Sequence, residues 1–228
     1  VYMKKAILIF LSLILILSCI GCAAEALPVR TEPTQTETAS TPEETLEGGW
    51  NIPTDPQITP ELQSLVDRAF EGLTGVSYSP VALLATQVVA GTNYRMLLRA
   101  LPVLPDAVEV YAIGTIYQDL DGNVTLEDVQ TTDVPTDLND MPGGWAQADS
   151  AQVSSEARAA FDAAVEGLVG VDYQPVALAA TQVAAGTNYA IVCQATVVYP
   201  DAEPYYAIVY VSADLEGQSQ LLDIADLV

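Results

Sequence analysis

One eight-residue stretch occurs in two near-identical copies in this 228-residue chain, as QVVAGTNY at residues 87–94 and as QVAAGTNY at residues 182–189. The two copies are 95 positions apart, and other matched segments keep the same offset without a gap. Among them, Gly48-Gly49-Trp50 recurs as Gly143-Gly144-Trp145. A period of this length suits a small domain and is too long for a solenoid repeat. The sequence therefore indicates a tandem duplication.

Each copy begins with a predicted amphipathic helix. Thr59 and Ser154 are suitable N-cap residues, and apolar residues follow them at helical spacing as far as Leu73 and Leu168. After the helix the apolar period changes to two, which predicts a meander of four antiparallel strands. Because neither a helix nor a sheet can bury its apolar side alone, we expect the helix to cover one face of the sheet. The predicted class is α+β.

The composition shifts along the chain predict its organisation. Residues 23–47 are rich in Thr, Glu and Pro without apolar periodicity, which is typical of a disordered stalk. The join between the copies is polar and contains Pro135, so we expect two separate domains. The predicted segments are a signal peptide at 1–22, the stalk at 23–47, domain 1 at 48–130, a linker at 131–142 and domain 2 at 143–228.

Charge and composition exclude several classes of function. The chain has 30 acidic and seven basic residues and no His, which gives a net charge of −23. The absence of His excludes Ser-His-Asp and Cys-His catalysis and His-ligated zinc. The acidic excess argues against nucleic acid as a partner, because phosphate binding depends on Lys and Arg. Cys193 is the one cysteine in the two copies, so it cannot form an internal disulfide there, and we expect it in the core.

The N-terminal residues have the pattern of a secretory signal. Lys4 and Lys5 precede an apolar run at 6–18, which is shorter than the roughly 20 residues of a membrane span. The run ends at Leu17-Ser18-Cys19, which resembles a prokaryotic lipoprotein signal with Cys19 as the lipidated residue; Cys22 is the alternative. An uncleaved anchor with incidental cysteines is the other interpretation. We expect secretion across the cytoplasmic membrane and a lipid anchor at the cell surface or in the periplasm.

The QVVAG-type stretches resemble the first-hairpin motif of the cystatins, which are protein inhibitors of papain-like cysteine proteases. The resemblance is closest to the stefins, because Met141-Pro142-Gly143-Gly144 resembles the stefin N-terminus and Thr59-Pro60-Glu61 resembles the start of the stefin helix. It implies two tandem cystatin-like domains, each with one helix packed on a four- to five-stranded antiparallel sheet. It also implies that a wedge, formed by the N-terminal Gly segment and the hairpin bends, blocks the protease cleft.

The resemblance assigns a protease-binding role to matching residues in both copies. It implies binding to a papain-like cysteine protease rather than catalysis. We expect a monomer that is not an enzyme and has no cofactor and no metal. The two Trp residues either add apolar area to the wedge or pack on the sheet. The predicted binding residues are Gly48, Gly49, Trp50, Gln87, Val88, Val89, Ala90 and Gly91 in copy one, and Gly143, Gly144, Trp145, Gln182, Val183, Ala184, Ala185 and Gly186 in copy two.

The acidic second hairpins depart from the cystatin pattern and favour an alternative function. The second hairpins read DLDG at 119–122 and DLEG at 214–217, where cystatins carry apolar residues, and Ala184 replaces a Val of the motif. Acidic tips would have to lose their hydration in a protease cleft, which is unfavourable. The alternative is a non-inhibitory cystatin-fold module for binding or assembly at the cell surface.

Overall fold

The helices and strands follow the same order in both repeats. The computed structural model describes residues 48–136 and 144–227, so the predicted signal peptide, the stalk, Cys19, Cys22 and Gly143 lie outside the described residues. Repeat 1 contains β1 (Trp50–Asn51), α1 (Pro60–Ala69), β2 (Val76–Val89), β3 (Gly91–Pro102), β4 (Val110–Asp119) and β5 (Val124–Pro135). Repeat 2 contains β6 (Ala146–Gln147), α2 (Ser155–Ala164), β7 (Val171–Ala184), β8 (Gly186–Val197), β9 (Tyr205–Asp214) and β10 (Ser219–Asp226).

Each repeat forms the predicted helix, and the N-caps are the predicted ones. The Thr59 hydroxyl oxygen accepts a hydrogen bond from the Leu62 amide at 3.3 Å, and the Ser154 hydroxyl oxygen accepts one from the Ala157 amide at 3.2 Å. These contacts satisfy amides that have no partner inside the first helical turn. Among the described residues, no helix combines the length and the apolar character that a membrane crossing requires.

The strands of each repeat form one antiparallel five-stranded sheet. The order is β1-β2-β3-β4-β5 in sheet 1 and β10-β9-β8-β7-β6 in sheet 2. The long second strand of each sheet shifts register just after a proline, Pro80 in β2 and Pro175 in β7. Proline has no amide hydrogen for the ladder, and a bulge is a position that tolerates this.

One face of each sheet is covered by the helix of the same repeat. Leu65 and Val66 of α1 belong to one cluster with Met96 and Leu98 of β3. Phe161 of α2 occupies the corresponding place in repeat 2, where it is almost fully buried together with strand residues of sheet 2. Each helix packs on one face of its sheet, and this face is on the outside of the molecule.

The other faces of the two sheets pack against each other. Side chains alternate along each strand, so Leu97 lies on the face opposite to Met96 and Leu98. These inner faces form one buried cluster that takes residues from both repeats, and both repeats lie in one compact unit. The strand residues of this cluster are Val81, Ala82, Leu84, Leu97, Tyr111 and Ile113 from sheet 1, and Val176, Ala177, Ala179, Ala180, Ala190, Val192, Tyr206, Ile208 and Tyr210 from sheet 2.

The prediction of an α+β fold made of two tandem cystatin-like domains is therefore wrong. The described residues are mostly β, with two five-stranded antiparallel sheets and two helices. The physical reason is that both faces of the central strands are apolar. A helix covers only one face, and the second face of each sheet is buried on its counterpart in the other repeat. The result is a sandwich of two sheets with a helix outside each sheet.

Part of the predicted linker belongs to a strand, and hydrogen bonds outside the sheets also join the two repeats. Strand β5 continues to Pro135, within the residues predicted as a linker, and the buried Thr132 hydroxyl donates to the Tyr111 carbonyl oxygen at 2.8 Å. The Gln57 side chain of repeat 1 donates to the Ser150 hydroxyl and accepts from the Ala151 amide at 3.2 Å. The boundaries 48–130 and 143–228 remain predictions of the extent of each repeat.

Candidate binding surface

The β2–β3 bend of repeat 1 and the β7–β8 bend of repeat 2 are the tightest turns of the two sheets. Gly91 has φ +136° and Gly186 has φ +121°, in the region that favours glycine. A Cβ atom at Gly91 would overlap the carbonyl oxygen of Gln118 on the neighbouring strand, and one at Gly186 would overlap that of Ala213. Both glycines therefore allow a close approach of two strands as well as a positive φ.

The side chains just before these glycines point into solvent. Val88, Val89 and Ala90 are exposed in repeat 1. Val183 in repeat 2 is 78% exposed, and Ala184 and Ala185 beside it are exposed as well. Exposed valines at a bend are unfavourable in water, so a surface of this kind is typical of a contact site.

The predicted binding residues Gln87 and Gln182 stabilise the bends through hydrogen bonds. Asn93 Nδ2 donates to Gln87 Oε1 at 2.7 Å across the hairpin, and Asn188 makes the same bond to Gln182 at 2.7 Å. Gln87 Nε2 also donates to the Gly48 carbonyl oxygen at 2.9 Å. Because Gln182 is only 5% exposed, its side chain does not offer a surface to a partner.

The N-terminal Gly segment lies beside the first bend. The Gly48 amide donates to the Val88 carbonyl oxygen at 3.1 Å, and Trp50 pairs with Gln87 in the sheet. Gly49 is half-buried, and its carbonyl oxygen accepts a bond from Asn51 Nδ2 at 3.2 Å. In repeat 2 the half-buried Gly144 precedes Trp145 and strand β6, which pairs with β7, whereas Gly143 lies outside the described residues.

The two tryptophans pack on the sheets. The Trp50 ring lies under the Arg95 guanidinium, whose carbon is 4.0 Å from the ring centroid. The Trp145 ring contacts Tyr210 edge-on, with the centroids 5.4 Å apart. Both rings are half-buried, so each packs on its sheet and also keeps part of its surface exposed.

The β4–β5 bend of repeat 1 and the β9–β10 bend of repeat 2 present a leucine to solvent. Leu120 is 84% exposed and Leu215 is 83% exposed. The Asp119 carboxylate turns back into its own bend, where it accepts bonds from the amides of Asp121 at 2.9 Å and Asn123 at 2.8 Å. The Asn123 side chain is the largest of the contacts that lower the Asp119 pKa. Asp214 accepts the corresponding bonds in repeat 2.

The two bends of each repeat lie side by side. Gly91 pairs with Asp119 in sheet 1, and Gly186 pairs with Asp214 in sheet 2. We call the exposed residues at these bends tip cluster 1, which is Val88, Val89, Ala90 and Leu120, and tip cluster 2, which is Val183, Ala184, Ala185 and Leu215. Leu120 and Leu215 are absent from the predicted binding residues, because the sequence of each second bend is mainly acidic. The sequence did contain a signal for the exposed leucine. An Asp that starts a short turn often bonds to the following backbone amides, so its carboxylate points into the bend.

A second set of exposed apolar residues was also missed. The β3–β4 loop exposes Val103 and Leu104, and the β8–β9 loop exposes Val198 and Tyr199. These loops leave the opposite end of each sheet from the bends, because β3 and β8 run from a bend to a loop. In both copies the tripeptide Pro-Asp-Ala follows these residues, and this repeated turn sequence marks the position of the loops in the sequence.

The part of the chain that the structure describes contains one cysteine. Cys193 is fully buried, and its burial raises the pKa of the thiol, so this sulfur is not available as a nucleophile. Among residues 48–136 and 144–227, no group of three or more Cys, Asp or Glu side chains forms a metal site. No protein-family model matches this chain, and a comparison with curated proteins finds no match.

Proposed function

We propose that this chain inhibits papain-like cysteine proteases by placing its tip clusters in the active-site cleft. The observation that carries the proposal is the pairing of exposed apolar tips with a rigid support behind them. In repeat 1, Val88, Val89 and Leu120 are exposed while Gln87 and Gly91 hold the bend in place. The resemblance of both bends to the cystatin hairpin motif supports the choice of partner.

The physical basis of the affinity is burial of apolar area at a small entropic cost. The valine and leucine side chains of tip cluster 1 would gain roughly 25 cal/mol for each Å² removed from water. The backbone of the bend is already ordered by the sheet ladder and by the hydrogen bond between Asn93 and Gln87. Little further conformational entropy is lost on docking, so a modest contact area can give useful affinity.

The proposed mechanism is occlusion. The tip residues are aliphatic, so they supply no nucleophile and no acid or base to the protease. They exclude substrate by occupying the cleft that the substrate needs. The Asp119 carboxylate is already bonded to backbone amides within its own bend, so it does not need to find a partner in the protease. This arrangement reduces the desolvation penalty that an acidic tip would otherwise bring.

The second candidate is a non-inhibitory module for binding or assembly at the cell surface. It is favoured by Asp121 and Glu216, which follow the exposed leucines. They give the β4–β5 bend and the β9–β10 bend a negative charge. A partner with a basic rim would suit such a bend better than an uncharged cleft. Binding to a protease distinguishes the two candidates.

We further propose that the N-terminal segment is a lipoprotein signal and that the chain is anchored outside the cytoplasmic membrane. The support is the sequence pattern of residues 1–22, with Cys19 as the favoured lipidated residue and Cys22 as the alternative. Mass spectrometry of the mature N-terminus tests this proposal. An acylated cysteine at position 19 or 22 is expected, and an intact segment before residue 19 would contradict it.

Papain activity measured with excess full-length chain tests the inhibitory function. We expect inhibition at micromolar concentration. Joint replacement of both tip clusters, with Val88→Asp, Val89→Asp, Val183→Asp and Ala184→Asp, puts charges where apolar contact is proposed. It should raise the inhibition constant by at least about 30-fold, which corresponds to roughly 2 kcal/mol.

The matched control for this experiment is Leu222→Asp. Leu222 is an exposed aliphatic residue in β10, four residues beyond the end of the β9–β10 bend. Its replacement adds the same kind of charge to an apolar surface outside the tip clusters, so papain inhibition should stay unchanged. Full papain activity in the presence of micromolar wild-type chain would overturn the inhibitor proposal and favour the second candidate.

A further inference from the structure

The way in which the two sheets pack determines where the two tip clusters lie. In sheet 1 the bends are at one end, where Gly91 pairs with Asp119. The β3–β4 loop is at the other end, beyond the pair of Arg99 with Tyr111. Sheet 2 has the same arrangement, with its bends at the pair of Gly186 with Asp214. In a sandwich of these two sheets, either like ends or unlike ends can lie against each other.

A cavity of about 140 Å³ between the sheets shows that unlike ends meet. From sheet 1 it is lined by Arg99 and Glu109, which lie next to the β3–β4 loop. From sheet 2 it is lined by Trp145, which precedes the short strand β6, and by Gln147 of β6, which pairs with Ala180 in the bend half of β7. The loop end of sheet 1 therefore lies against the bend end of sheet 2.

A second cavity, of about 160 Å³, shows the complementary contact. From sheet 1 it is lined by Arg95 and Thr115, which pair with each other in the half that carries the bends. From sheet 2 it is lined by Pro204 and Tyr205 at the loop end of β9. Arg95 also lies 6.0 Å from the Tyr206 ring centroid, in addition to its contact with Trp50. The two sheets are thus packed with their bends at opposite ends of the sandwich.

We propose that this chain holds two protease molecules at once, one at each end of the sandwich. The proposal rests on the proposed function and adds the stoichiometry and the geometry of the complex. Strands β2 and β7 have 14 residues each, so the two ends are separated by about 40 Å along the strands. Two globular partners that approach from opposite ends do not compete for the same space.

Each end carries apolar residues from both repeats. The β8–β9 loop, with Val198 and Tyr199, leaves sheet 2 at the end where tip cluster 1 lies. The β3–β4 loop, with Val103 and Leu104, leaves sheet 1 at the end of tip cluster 2. Because the two loops and the two tip clusters differ in sequence, the two ends bind the same protease with different affinities. Two-site binding with unequal constants is therefore the expected behaviour.

Calorimetric titration of full-length chain with papain, whose catalytic thiol is alkylated, tests the proposal. Wild type should bind two papain molecules. The variant with Val88→Asp and Val89→Asp should bind one, and so should the variant with Val183→Asp and Ala184→Asp. The variant with all four replacements should bind none. Circular dichroism checks that each variant is folded, which is expected because all four side chains are exposed.

A sandwich assay on the wild-type chain makes the test independent of the variants. Chain captured on immobilised alkylated papain should capture a second, labelled papain from solution. One papain per chain, with no capture of the labelled molecule, would overturn the two-ended proposal and leave the inhibitory function in place. Absence of any papain binding would overturn both proposals.

Discussion

At the scale of single residues, two glycines determine whether the bends can form. Gly91 and Gly186 combine a positive φ with a backbone carbonyl oxygen from the next strand at the place of their missing Cβ. Any other residue would separate the first bend from the second. The side-by-side position of the two bends in each tip cluster therefore depends on these two positions.

We predict that Gly91→Ala destabilises the fold by about 2–4 kcal/mol, because it combines a strained φ with an overlap against backbone. Gly122→Ala is the matched control. Gly122 has φ +86°, but the space around its missing Cβ is empty, so only the conformational cost of about 1 kcal/mol remains. Urea unfolding followed by circular dichroism measures both. Equal losses for the two variants would contradict the close approach at Gly91.

The predicted binding residues at the bends include both exposed residues and residues that support the bend. The motif located the exposed Val88 and Val183 correctly, because apolar residues before a bend glycine are recognisable in the sequence. It grouped Gln87 and Gln182 with them, although these side chains bond to Asn93 and Asn188 and support the bend from within. A sequence motif does not distinguish an exposed residue at a bend from the residue that holds the bend in place.

At the scale of elements, the β4–β5 bend depends on one carboxylate. Asp119 accepts hydrogen bonds from two backbone amides and from the Asn123 side chain. Asp121 has no such role, although it lies two residues further along the same bend and carries the same charge. Replacing each acid in turn therefore separates the effect of bend geometry from the effect of charge.

We predict that Asp119→Ala weakens papain inhibition about 10-fold, because the bend loses its internal acceptor and Leu120 loses its fixed position. Asp121→Ala removes the same charge and leaves those bonds intact, so it should keep or improve inhibition. Inhibition constants for the two single variants provide the comparison. An equal loss for both would show that charge, and not bend geometry, controls binding.

The helices and strands themselves were largely predictable. Thr59 and Ser154 form the predicted caps, and the change from helical to strand periodicity correctly placed the sheets. The apolar pattern extended each helix to Leu73 and Leu168, but the helices end at Ala69 and Ala164, and the two leucines are exposed. A leucine at the right spacing continues the pattern whether or not the backbone remains helical.

At the scale of the whole molecule, the feature that could not be predicted from one repeat is the shared core. The apolar run at 81–85 and the β7 alanines Ala177, Ala179 and Ala180 are buried, and between them they occupy both faces of their sheets. Such unbroken runs indicate strands that are covered on both sides. The polar join around Pro135 predicted two separate domains, and the helix was the only cover expected for each sheet. Only the second repeat, packed on the first, supplies the missing cover.

The shared core contains buried tyrosines that make stability sensitive to high pH. Burial raises the pKa of Tyr210 to about 12, from the ordinary value of 10.0, and also raises the pKa values of Tyr111 and Tyr206. These groups are neutral in the folded state and ionise more easily in the unfolded state. Their contribution to stability is therefore complete below pH 10 and is lost as the pH rises from about 10 to 12.

Urea midpoints measured between pH 8 and pH 12 test this prediction. The midpoint should be constant up to about pH 9.5 and should then fall. Tyr210→Phe removes one titrating group and should make the fall less steep. A midpoint that stays level to pH 12 would show that these phenols are not buried between the sheets.

The central claim is that the tip clusters are the surface that meets a protease, and amide hydrogen exchange on the complex tests it most directly. Full-length chain, with and without papain alkylated at its catalytic thiol, is compared by mass spectrometry of peptides. The account predicts slower exchange on binding at the bends around residues 87–92, 119–123, 182–187 and 214–218. Exchange that is unchanged at these bends, or slowed instead on helices α1 and α2, would contradict it.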